Sequence, residues 1–234
     1  MTAPGKKLNR SCIVVFSGGQ DSTTCLHWAL RTFTSVECVF FDYGQRHRSE
    51  LLSAQAITWR VQVPLRLFRL DFFREMKGNA LLDDSVPITT LSPIQPGLPN
   101  TFVPGRNLLF LVQAASYAYT QGIRDIVTGV CQTDSSGYPD CRESAIRNLQ
   151  RSLHQGLDWS SRGGVFRIHT PLMFKTKAQS IGLAQKWGAM ESLALSHTCY
   201  EGKTPPCDVC PACQLRAKGF FEAGVEDPLK VRLK

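Results

Sequence analysis

Short apolar runs alternate with amphipathic stretches along most of the chain. Cys12–Phe16 and Val36–Phe41 are brief runs rich in β-branched and aromatic residues, which is typical of strands buried in a parallel sheet. Hydrophobic spacing and turn residues predict these further elements: helices over 21–33, 47–60, 107–119 and 142–153, and strands over 65–70 and 125–129. Thr176 and Gln179 form a capping box for one more helix, which ends just before Gly188. This alternation predicts an α/β fold with an open, doubly wound parallel sheet covered by helices on both faces.

A proline-rich stretch interrupts the alternation. Ser85–Gly105 contains five of the 13 prolines, so it cannot form a regular helix or a central strand. A loop of this length within a compact domain is usually a lid, a binding loop or a disordered segment. Polar, glycine-containing loops follow the strands that end near Phe16, Phe41 and Gly129. Because ligands of parallel α/β sheets bind beyond the carboxyl ends of the strands, we expect the functional site at these loops.

The composition is that of a globular protein. Of the 234 residues, 43% are hydrophobic and 20% are charged, which excludes a disordered or fibrous chain. The net charge of +8 is dispersed, so it indicates either an ordinary solvated surface or attraction for small polyanions such as nucleotides. No apolar run approaches the ~20 residues of a membrane-spanning helix, and no export signal is recognisable. We therefore expect a cytoplasmic protein with no membrane partner.

The loop after the first strand has the chemistry of a phosphate-binding turn. It reads Phe16-Ser17-Gly18-Gly19-Gln20-Asp21-Ser22, and a predicted helix begins within it. The glycines let the backbone approach a ligand closely, and the free N–H groups of the helix start favour an anion. The loop has neither the G-x-x-x-x-G-K-[ST] nor the G-x-G-x-x-G pattern. The alternative is a structural glycine turn that Ser and Asp side chains cap.

Ser-Gly-Gly-x-Asp-Ser directly after a strand resembles the PP-loop of the ATP pyrophosphatases. The resemblance implies a Rossmann-like, PP-loop-type sheet and a loop that holds the β- and γ-phosphates of ATP as leaving pyrophosphate. It also implies catalytic roles for Ser17, Asp21 and Ser22, with Asp21 binding magnesium or organising the pocket. The implied ATP-binding residues are Phe16, Ser17, Gly18, Gly19, Gln20, Asp21, Ser22, Thr23, Thr24, Cys25 and Leu26.

Polar residues of the later loops suit a nucleotide or purine-like ligand. Arg46 and Arg106 can neutralise a phosphate or carboxylate, and Asp42 can meet a ribose or an amine at its strand end. The loop after Gly129 can recognise the hydrogen-bonding edge of a ring. Any one of these residues could instead be a turn former. The candidate pocket residues are Asp42, Tyr43, Gln45, Arg46, Arg106, Asn107, Thr133, Asp134, Tyr138 and Asp140.

Four cysteines crowd the last sixth of the chain. They are Cys199, Cys207, Cys210 and Cys213, the last three in a C-x₂-C-x₂-C pattern. Four thiolates around a turn are typical of a closed structural zinc site, and an iron–sulfur cluster is the main competitor. The pattern predicts a small zinc-binding subdomain over 196–234 after a nucleotide-binding domain over 1–195.

The other five cysteines give weaker signals. Cys12, Cys25 and Cys38 lie among apolar residues and are predicted to be core thiols. Cys131 and Cys141 flank a polar loop, and a catalytic role for either is a weak hypothesis, because no histidine lies near them in sequence.

The loops at 41–47, 102–107 and 129–142, taken with the PP-loop and the cysteine cluster, closely resemble the 7-cyano-7-deazaguanine synthase family of queuosine biosynthesis. The resemblance covers roughly residues 12–216. It implies an ATP-dependent ligase that converts 7-carboxy-7-deazaguanine and ammonia to 7-cyano-7-deazaguanine through adenylated intermediates. It also implies ATP, magnesium and zinc, a homodimer, and no direct nucleic-acid partner.

Three alternatives stay open at this point. A PP-loop enzyme that adenylates or thiolates tRNA would need an added RNA-binding domain or a persulfide-carrying cysteine. A zinc-organised module that binds nucleotide only as a ligand would bind ATP without releasing pyrophosphate. A related enzyme that attaches deazaguanine to a protein or nucleic acid would share nearly all of these motifs.

Overall fold

The computed structural model describes residues 7–76, 78–88, 97–133 and 137–233. Five parallel strands form one sheet in the order β3-β2-β1-β4-β5. The strands are β1 Leu8–Val15, β2 Phe33–Asp42, β3 Leu65–Arg69, β4 Asp125–Val127 and β5 Arg167–His169. The helices are α1 Gln20–Thr32, α2 Ser49–Arg60, α3 Arg106–Thr120, α4 Glu143–Gly156, α5 Lys177–Trp187, α6 Met190–Leu193, α7 Pro211–Glu222 and α8 Pro228–Arg232. The predicted doubly wound α/β fold is confirmed.

Both faces of the sheet are covered by helices. Cys12 of β1 points to the face that α1 and α2 cover, where it packs in one core with Leu26 and Ile57. The next residue, Ile13, points to the opposite face and packs in a second core with Leu111 of α3 and Ile146 of α4. Because the central strands β1, β2 and β4 are buried on both sides, they appear in the sequence as continuous apolar runs instead of alternating ones.

The predicted strands and helices are present with shifted ends. β1 begins at Leu8 and β2 at Phe33, several residues before their apolar runs, because the two strands already pair there. Both hydrogen bonds of the predicted capping box at the start of α5 are formed, and the helix ends at Gly188 with φ +77°. These predictions are confirmed within one to four residues.

Four elements were not predicted: β5, α6, α7 and α8. β5 is three residues long and only its central residue, Ile168, is buried, so it has no hydrophobic period to detect. α7 starts at Pro211, inside the cysteine cluster, and proline favours the first position of a helix. The helix was not predicted because the cysteine spacing there was interpreted only as a metal-ligand pattern.

The proline-rich stretch contains neither helix nor strand among the described residues 85–88 and 97–105. The rest of it, 89–96, lies outside the described residues. Asn100 Nδ2 donates to Pro87 O at 2.7 Å, and Thr101 Oγ1 lies 2.8 Å from Tyr138 Oη, so the two described ends are tied to each other and to the body. The prediction of an irregular loop is confirmed for these residues.

The sheet order places a crevice between β1 and β4. The chain leaves β1 toward one side of the sheet and leaves β4 toward the other, which is the arrangement that opens a ligand crevice in such folds. Gly129, just after β4, approaches α1 so closely that a Cβ there would lie 3.0 Å from Ser22 N. Among the described helices, none is long and apolar enough to cross a bilayer.

Candidate active site

Phe16–Ser22, the phosphate loop, connects β1 to the first turn of α1. Gly18 has φ +76°, and a Cβ there would lie 2.6 Å from Ala54 N and 2.7 Å from Glu50 O in α2. Both neighbours are backbone atoms, which cannot move aside as a flexible side chain can. A glycine is therefore required here by the backbone conformation and by the close packing of the loop on α2.

We expect Gly18→Ala to displace the phosphate loop and to raise the KM for ATP by about tenfold or more, while the sheet stays folded. Gly122→Ala is the matched control. Gly122 also has a positive φ, +67°, but a Cβ there meets nothing within 4 Å. The control variant has the same backbone strain of about 1–2 kcal/mol from a positive φ, but it lacks the steric clash with α2. Equal KM values for ATP in the two variants would refute the packing argument.

The serines hold the phosphate loop in shape. Ser17 Oγ lies 3.1 Å from Ser22 Oγ and accepts a hydrogen bond from Gly19 N at 3.3 Å. Ser22 Oγ donates to Gly19 O at 3.1 Å. Among the described residues, no side chain caps the start of α1. The first N–H groups of α1 therefore face the crevice without a side-chain acceptor, as an anion site requires.

Asp21 is held by a lysine from a distant part of the chain. Lys177 Nζ, at the start of α5, lies 2.7 Å from Asp21 Oδ2, and both side chains are largely shielded from solvent. The other oxygen, Oδ1, is buried and has no hydrogen-bond partner among the described residues. An oriented carboxylate with one oxygen left over suits a divalent cation. Sequence reasoning missed Lys177, because 156 residues separate it from Asp21.

The predicted ATP-binding residues fall into two groups. Phe16, Ser17, Gly19, Gln20, Asp21 and Ser22 line the crevice. Thr23, Thr24, Cys25 and Leu26 are buried along α1 and lie outside the crevice lining, as does Gly18. Thr24 Oγ1 donates to Gln20 O at 3.0 Å, and Gly18 O accepts from His197 N at 3.0 Å. The second group supports the loop from behind.

The crevice has a volume of about 270 Å³. It extends from the phosphate loop into a cleft with aromatic walls. Arg106 is enclosed in this cleft, where Nη1 donates to Tyr43 Oη at 3.1 Å and the guanidinium lies 5.4 Å from the Tyr43 ring centre. Burial opposes the charge of Arg106, but Tyr43, Tyr138, Tyr200 and Glu50 outweigh that effect and raise its pKa. Arg106 Nε is buried and has no partner among the described residues. The cleft is therefore lined by a permanently charged guanidinium whose Nε–H is available to a ligand.

Glu50, which sequence reasoning missed, lines the same cleft from α2. Burial raises the pKa of its carboxyl to about 7, and the nearby charge of Arg106 acts in the opposite direction. Burial also raises the pKa of Tyr43 to about 12, so this phenol stays protonated. Glu50 lies three residues after His47 on a predicted helix, and no motif marked it as different from a solvated helix residue.

The predicted pocket residues are only partly brought together. Tyr43, Gln45, Arg46, Arg106, Asn107 and Tyr138 line the cleft. Asp42, Thr133 and Asp140 lie outside its lining, and Asp134 falls outside the described residues. Asp42 Oδ1 accepts from Gly44 N at 3.2 Å, and Thr133 Oγ1 donates to Lys175 O. These two contacts are those of turn and anchoring residues.

Arg46, Asn107 and Asp140 also have internal partners. Arg46 Nε lies 3.1 Å from Asp84 Oδ1, and its Nη1 donates to Ala80 O at 3.1 Å. Asp140 accepts from both the backbone N and the Nδ2 of Asn107, at 3.0 and 3.1 Å. Asp140 thus caps the start of α3 from outside the helix. Arg46 secures residues 80–86, and the Asn107–Asp140 pair orients the helix that carries Arg106.

The four C-terminal cysteines form one cluster. The sulfur atoms of Cys199, Cys207, Cys210 and Cys213 all lie within 4.8 Å of one another. Tetrahedral zinc with Zn–S bonds of about 2.3 Å separates its sulfurs by roughly 3.8 Å, so small shifts complete the site. A hydrogen bond from Cys213 lowers the pKa of Cys210, which favours the thiolate that a metal needs. The predicted ligand set is together, and it is compatible with zinc.

Arg216 connects the cysteine cluster to the body of the protein. Its Nε and Nη2 donate to the two carboxylate oxygens of Asp227 at 2.7 and 2.8 Å. Its Nη1 donates to Ser196 Oγ at 2.8 Å and to Thr198 Oγ1 at 2.9 Å. A buried guanidinium with this many partners fixes α7 against the chain that enters the cluster. Arg216 also lines the cleft, so the cluster and the site share a wall.

The remaining cysteines divide as predicted from their surroundings. Cys12, Cys25 and Cys38 are fully buried, which confirms them as core thiols, and burial raises the pKa of each. Cys131 and Cys141 line the cleft, and Cys131 Sγ donates to Lys175 O at 3.2 Å. A catalytic role for either stays a hypothesis.

Known proteins match this chain over nearly its full length. A family model described as queuosine biosynthesis protein QueC matches residues 11–224. A 7-cyano-7-deazaguanine synthase from Chromobacterium violaceum is 54% identical over 226 residues, which are 96% of this chain and 94% of the relative. One from Laribacter hongkongensis is 53% identical over 221 residues, which are 94% of each. Among solved structures, an NMN synthetase from Francisella tularensis is 13% identical with a TM-score of 0.47, covering 96% of this chain and 82% of that one.

Proposed function

The chain belongs to the QueC family of queuosine biosynthesis proteins, and from this membership we propose that its cleft converts 7-carboxy-7-deazaguanine, ammonia and ATP to 7-cyano-7-deazaguanine. One observation supports the proposal most directly. The phosphate loop and the aromatic cleft around Arg106 form one continuous space, so a nucleotide phosphate and a flat anionic substrate can meet in it.

The first half of the reaction makes an amide. A substrate carboxylate oxygen attacks the α-phosphate of ATP, an O–P bond forms, and the bond to the β-phosphate breaks to release pyrophosphate. Ammonia then adds to the carbonyl carbon and loses a proton, and AMP departs with the former carboxylate oxygen. Adenylation is needed because an oxide ion is too poor a leaving group for ammonia to displace.

The second half turns the amide into a nitrile. The amide oxygen attacks the α-phosphate of a second ATP and again releases pyrophosphate. The nitrogen then loses its remaining protons while the C–O bond breaks, so the second AMP carries away the second oxygen. Two molecules of ATP therefore account for the loss of both carboxylate oxygens.

The protein contributes position and charge to these steps. The uncapped start of α1 holds the pyrophosphate in the loop that the hydroxyls of Ser17 and Ser22 keep in shape, which leaves the α-phosphate open to attack. Asp21, oriented by Lys177, would hold magnesium through its second oxygen. Magnesium bound there would neutralise part of the negative charge of the phosphates. The predicted ATP-site residues that lie behind the loop keep its backbone in place.

We assign zinc to the four cysteines as a structural metal. Four thiolates leave no open position for a substrate, so the ion would fix the C-terminal segment and Arg216 beside the cleft. The division into a nucleotide-binding domain over 1–195 and a zinc subdomain over 196–234 is part of the same proposal. We also propose a homodimer in the cytoplasm, where reducing conditions keep nine cysteines as thiols.

Pyrophosphate release tests this function. The purified protein is mixed with ATP and magnesium, with 7-carboxy-7-deazaguanine and ammonium either present or omitted, and pyrophosphate and nitrile are measured together. We expect release that depends on the deazaguanine and gives about two pyrophosphates per nitrile. ATP binding without any release would indicate a nucleotide-binding module. Release that requires tRNA would indicate a tRNA-modifying PP-loop enzyme. Either result would refute the proposal.

A further inference from the structure

Glu50 is a carboxylate without a hydrogen-bond partner inside the cleft. Within the described ranges, its side chain makes no hydrogen bond and no ion pair within 4 Å. Glu50 is half-buried, and burial raises the pKa of its carboxyl to about 7, so the group is partly charged near neutral pH. A carboxylate that makes no hydrogen bond to the protein is satisfied by solvent, so a ligand that fills the cleft and displaces this solvent must bring N–H donors of its own.

Glu50 and Arg106 face the same space without touching. Each acts electrostatically on the other, yet no ion pair within 4 Å joins them among the described residues. Arg106 is fixed by Tyr43 and still has Nε to offer. The rings of Tyr43 and Phe110 line the same cleft, with centres 5.4 Å apart. A flat ring that has donors on one edge and acceptors next to them would satisfy both charged groups.

The substrate of the proposed function has this arrangement of atoms. In 7-carboxy-7-deazaguanine the 2-amino group and N1–H are adjacent donors, and O6 and the 7-carboxylate follow as acceptors along the same side. A carboxylate can accept from both donors, while a guanidinium can donate to both acceptors. Glu50 and Arg106 line the same cleft and act on each other electrostatically, so together they offer these two kinds of contact.

The other acidic side chains are less suited to this role. Asp21 lies at the phosphate end and is paired with Lys177. Asp140 is occupied by Asn107 and lies outside the cleft lining. Among the described residues that line the cleft, Glu50 is thus the one carboxylate that has no ion-pair partner.

Resting on the proposed function, we propose that Glu50 determines specificity for the guanine-type ring by accepting hydrogen bonds from its N1–H and 2-amino groups, with Arg106 donating to O6 and the carboxylate. The sequence predicts recognition of the ring edge by the loop after Gly129. In this proposal the acceptor for that edge instead lies on α2, in the cleft that Arg106 also lines.

Binding of two ligands to two variants tests this role. The ligands are 7-carboxy-7-deazaguanine and 7-carboxy-7-deazahypoxanthine, which lacks only the 2-amino group, and calorimetry gives their Kd values. We expect wild type to prefer the 2-amino ligand by about 100-fold, because the analogue fills the cleft but leaves one oxygen of Glu50 without a donor. In Glu50→Gln the preference should fall below about fivefold, since the amide NH₂ opposes the 2-amino group.

Glu222→Gln is the matched control, because Glu222 is an exposed glutamate of α7 that contacts Lys218 only distantly. It should keep the wild-type preference. An unchanged preference in Glu50→Gln, or no binding of either ligand to wild type, would overturn the inference. So would a lower kcat with unchanged Kd values, which would make Glu50 a proton acceptor instead. Pyrophosphate release by wild type is measured in parallel, so a failure of the proposed function is seen separately from a failure of the Glu50 assignment.

Discussion

Asp21→Asn is expected to reduce pyrophosphate release by about 10²–10³-fold while the protein remains folded. Asparagine keeps the size of the side chain and can still hydrogen-bond to Lys177, which lies 2.7 Å from Asp21 Oδ2. The variant loses the negative charge that we assign to magnesium. The loss of one partly shielded ion pair should lower the free energy of unfolding by less than about 2 kcal/mol.

The measurement is the rate of pyrophosphate release across a magnesium titration, with thermal unfolding as the check on folding. Asp71→Asn makes the same chemical change at an exposed residue paired with Arg74 and should leave the rate unchanged. An Asp21→Asn rate near that of wild type at saturating magnesium would remove Asp21 from the catalytic machinery. A rate that falls only because the protein unfolds would also contradict the assignment.

Cys210→Ser is expected to release the metal and to destabilise the C-terminal segment over 196–234 that carries the four cysteines. Zinc sites in small folds supply about 10–16 kcal/mol of apparent binding energy, so losing one of four thiolates has a large effect. The loss should reach the cleft, because Arg216 lines it and is held in α7, which begins within the cysteine cluster. We therefore expect a lower unfolding temperature and reduced turnover together.

Metal content per chain and the unfolding temperature are the two measurements for this variant. Cys131→Ser is the control for metal content, since Cys131 lies outside the cluster. It should retain one zinc per chain. A Cys210→Ser protein with full zinc and an unchanged unfolding temperature would contradict a structural zinc site. Iron and acid-labile sulfide in the wild-type protein would show the iron–sulfur alternative to be correct.

Local sequence was sufficient to predict the features that are formed by residues close together in the chain. The Ser-Gly-Gly-x-Asp-Ser turn after an apolar run predicts a strand, a loop and a helix start, and all three are present. The capping box at Thr176 is likewise complete, because its two hydrogen bonds join residues only three apart. The cysteine spacing predicted a cluster for the same reason.

Contacts between distant segments could not be predicted in this way. Lys177 meets Asp21 only because α5 packs against α1, and Glu50 and Arg106 share a cleft only because the first turns of α2 and α3 both line it. In the sequence, Lys177 and Glu50 are ordinary charged residues near the start of a helix. Conversely, Asp140 resembles a ligand-binding residue in the sequence, yet its carboxylate caps α3 through Asn107. Tertiary packing decides which loop polar groups remain available to a ligand.

The most direct test of the central claim follows the oxygen atoms of the substrate. 7-Carboxy-7-deazaguanine labelled with heavy oxygen in its carboxylate is converted in the presence of ATP, magnesium and ammonium, and the products are analysed by mass spectrometry. If the phosphate loop holds pyrophosphate as the leaving group, as we propose, two labelled AMP molecules form for each nitrile and no labelled inorganic phosphate appears. Label recovered in inorganic phosphate together with ADP, or only in water, would contradict adenylation and with it the function assigned to this site.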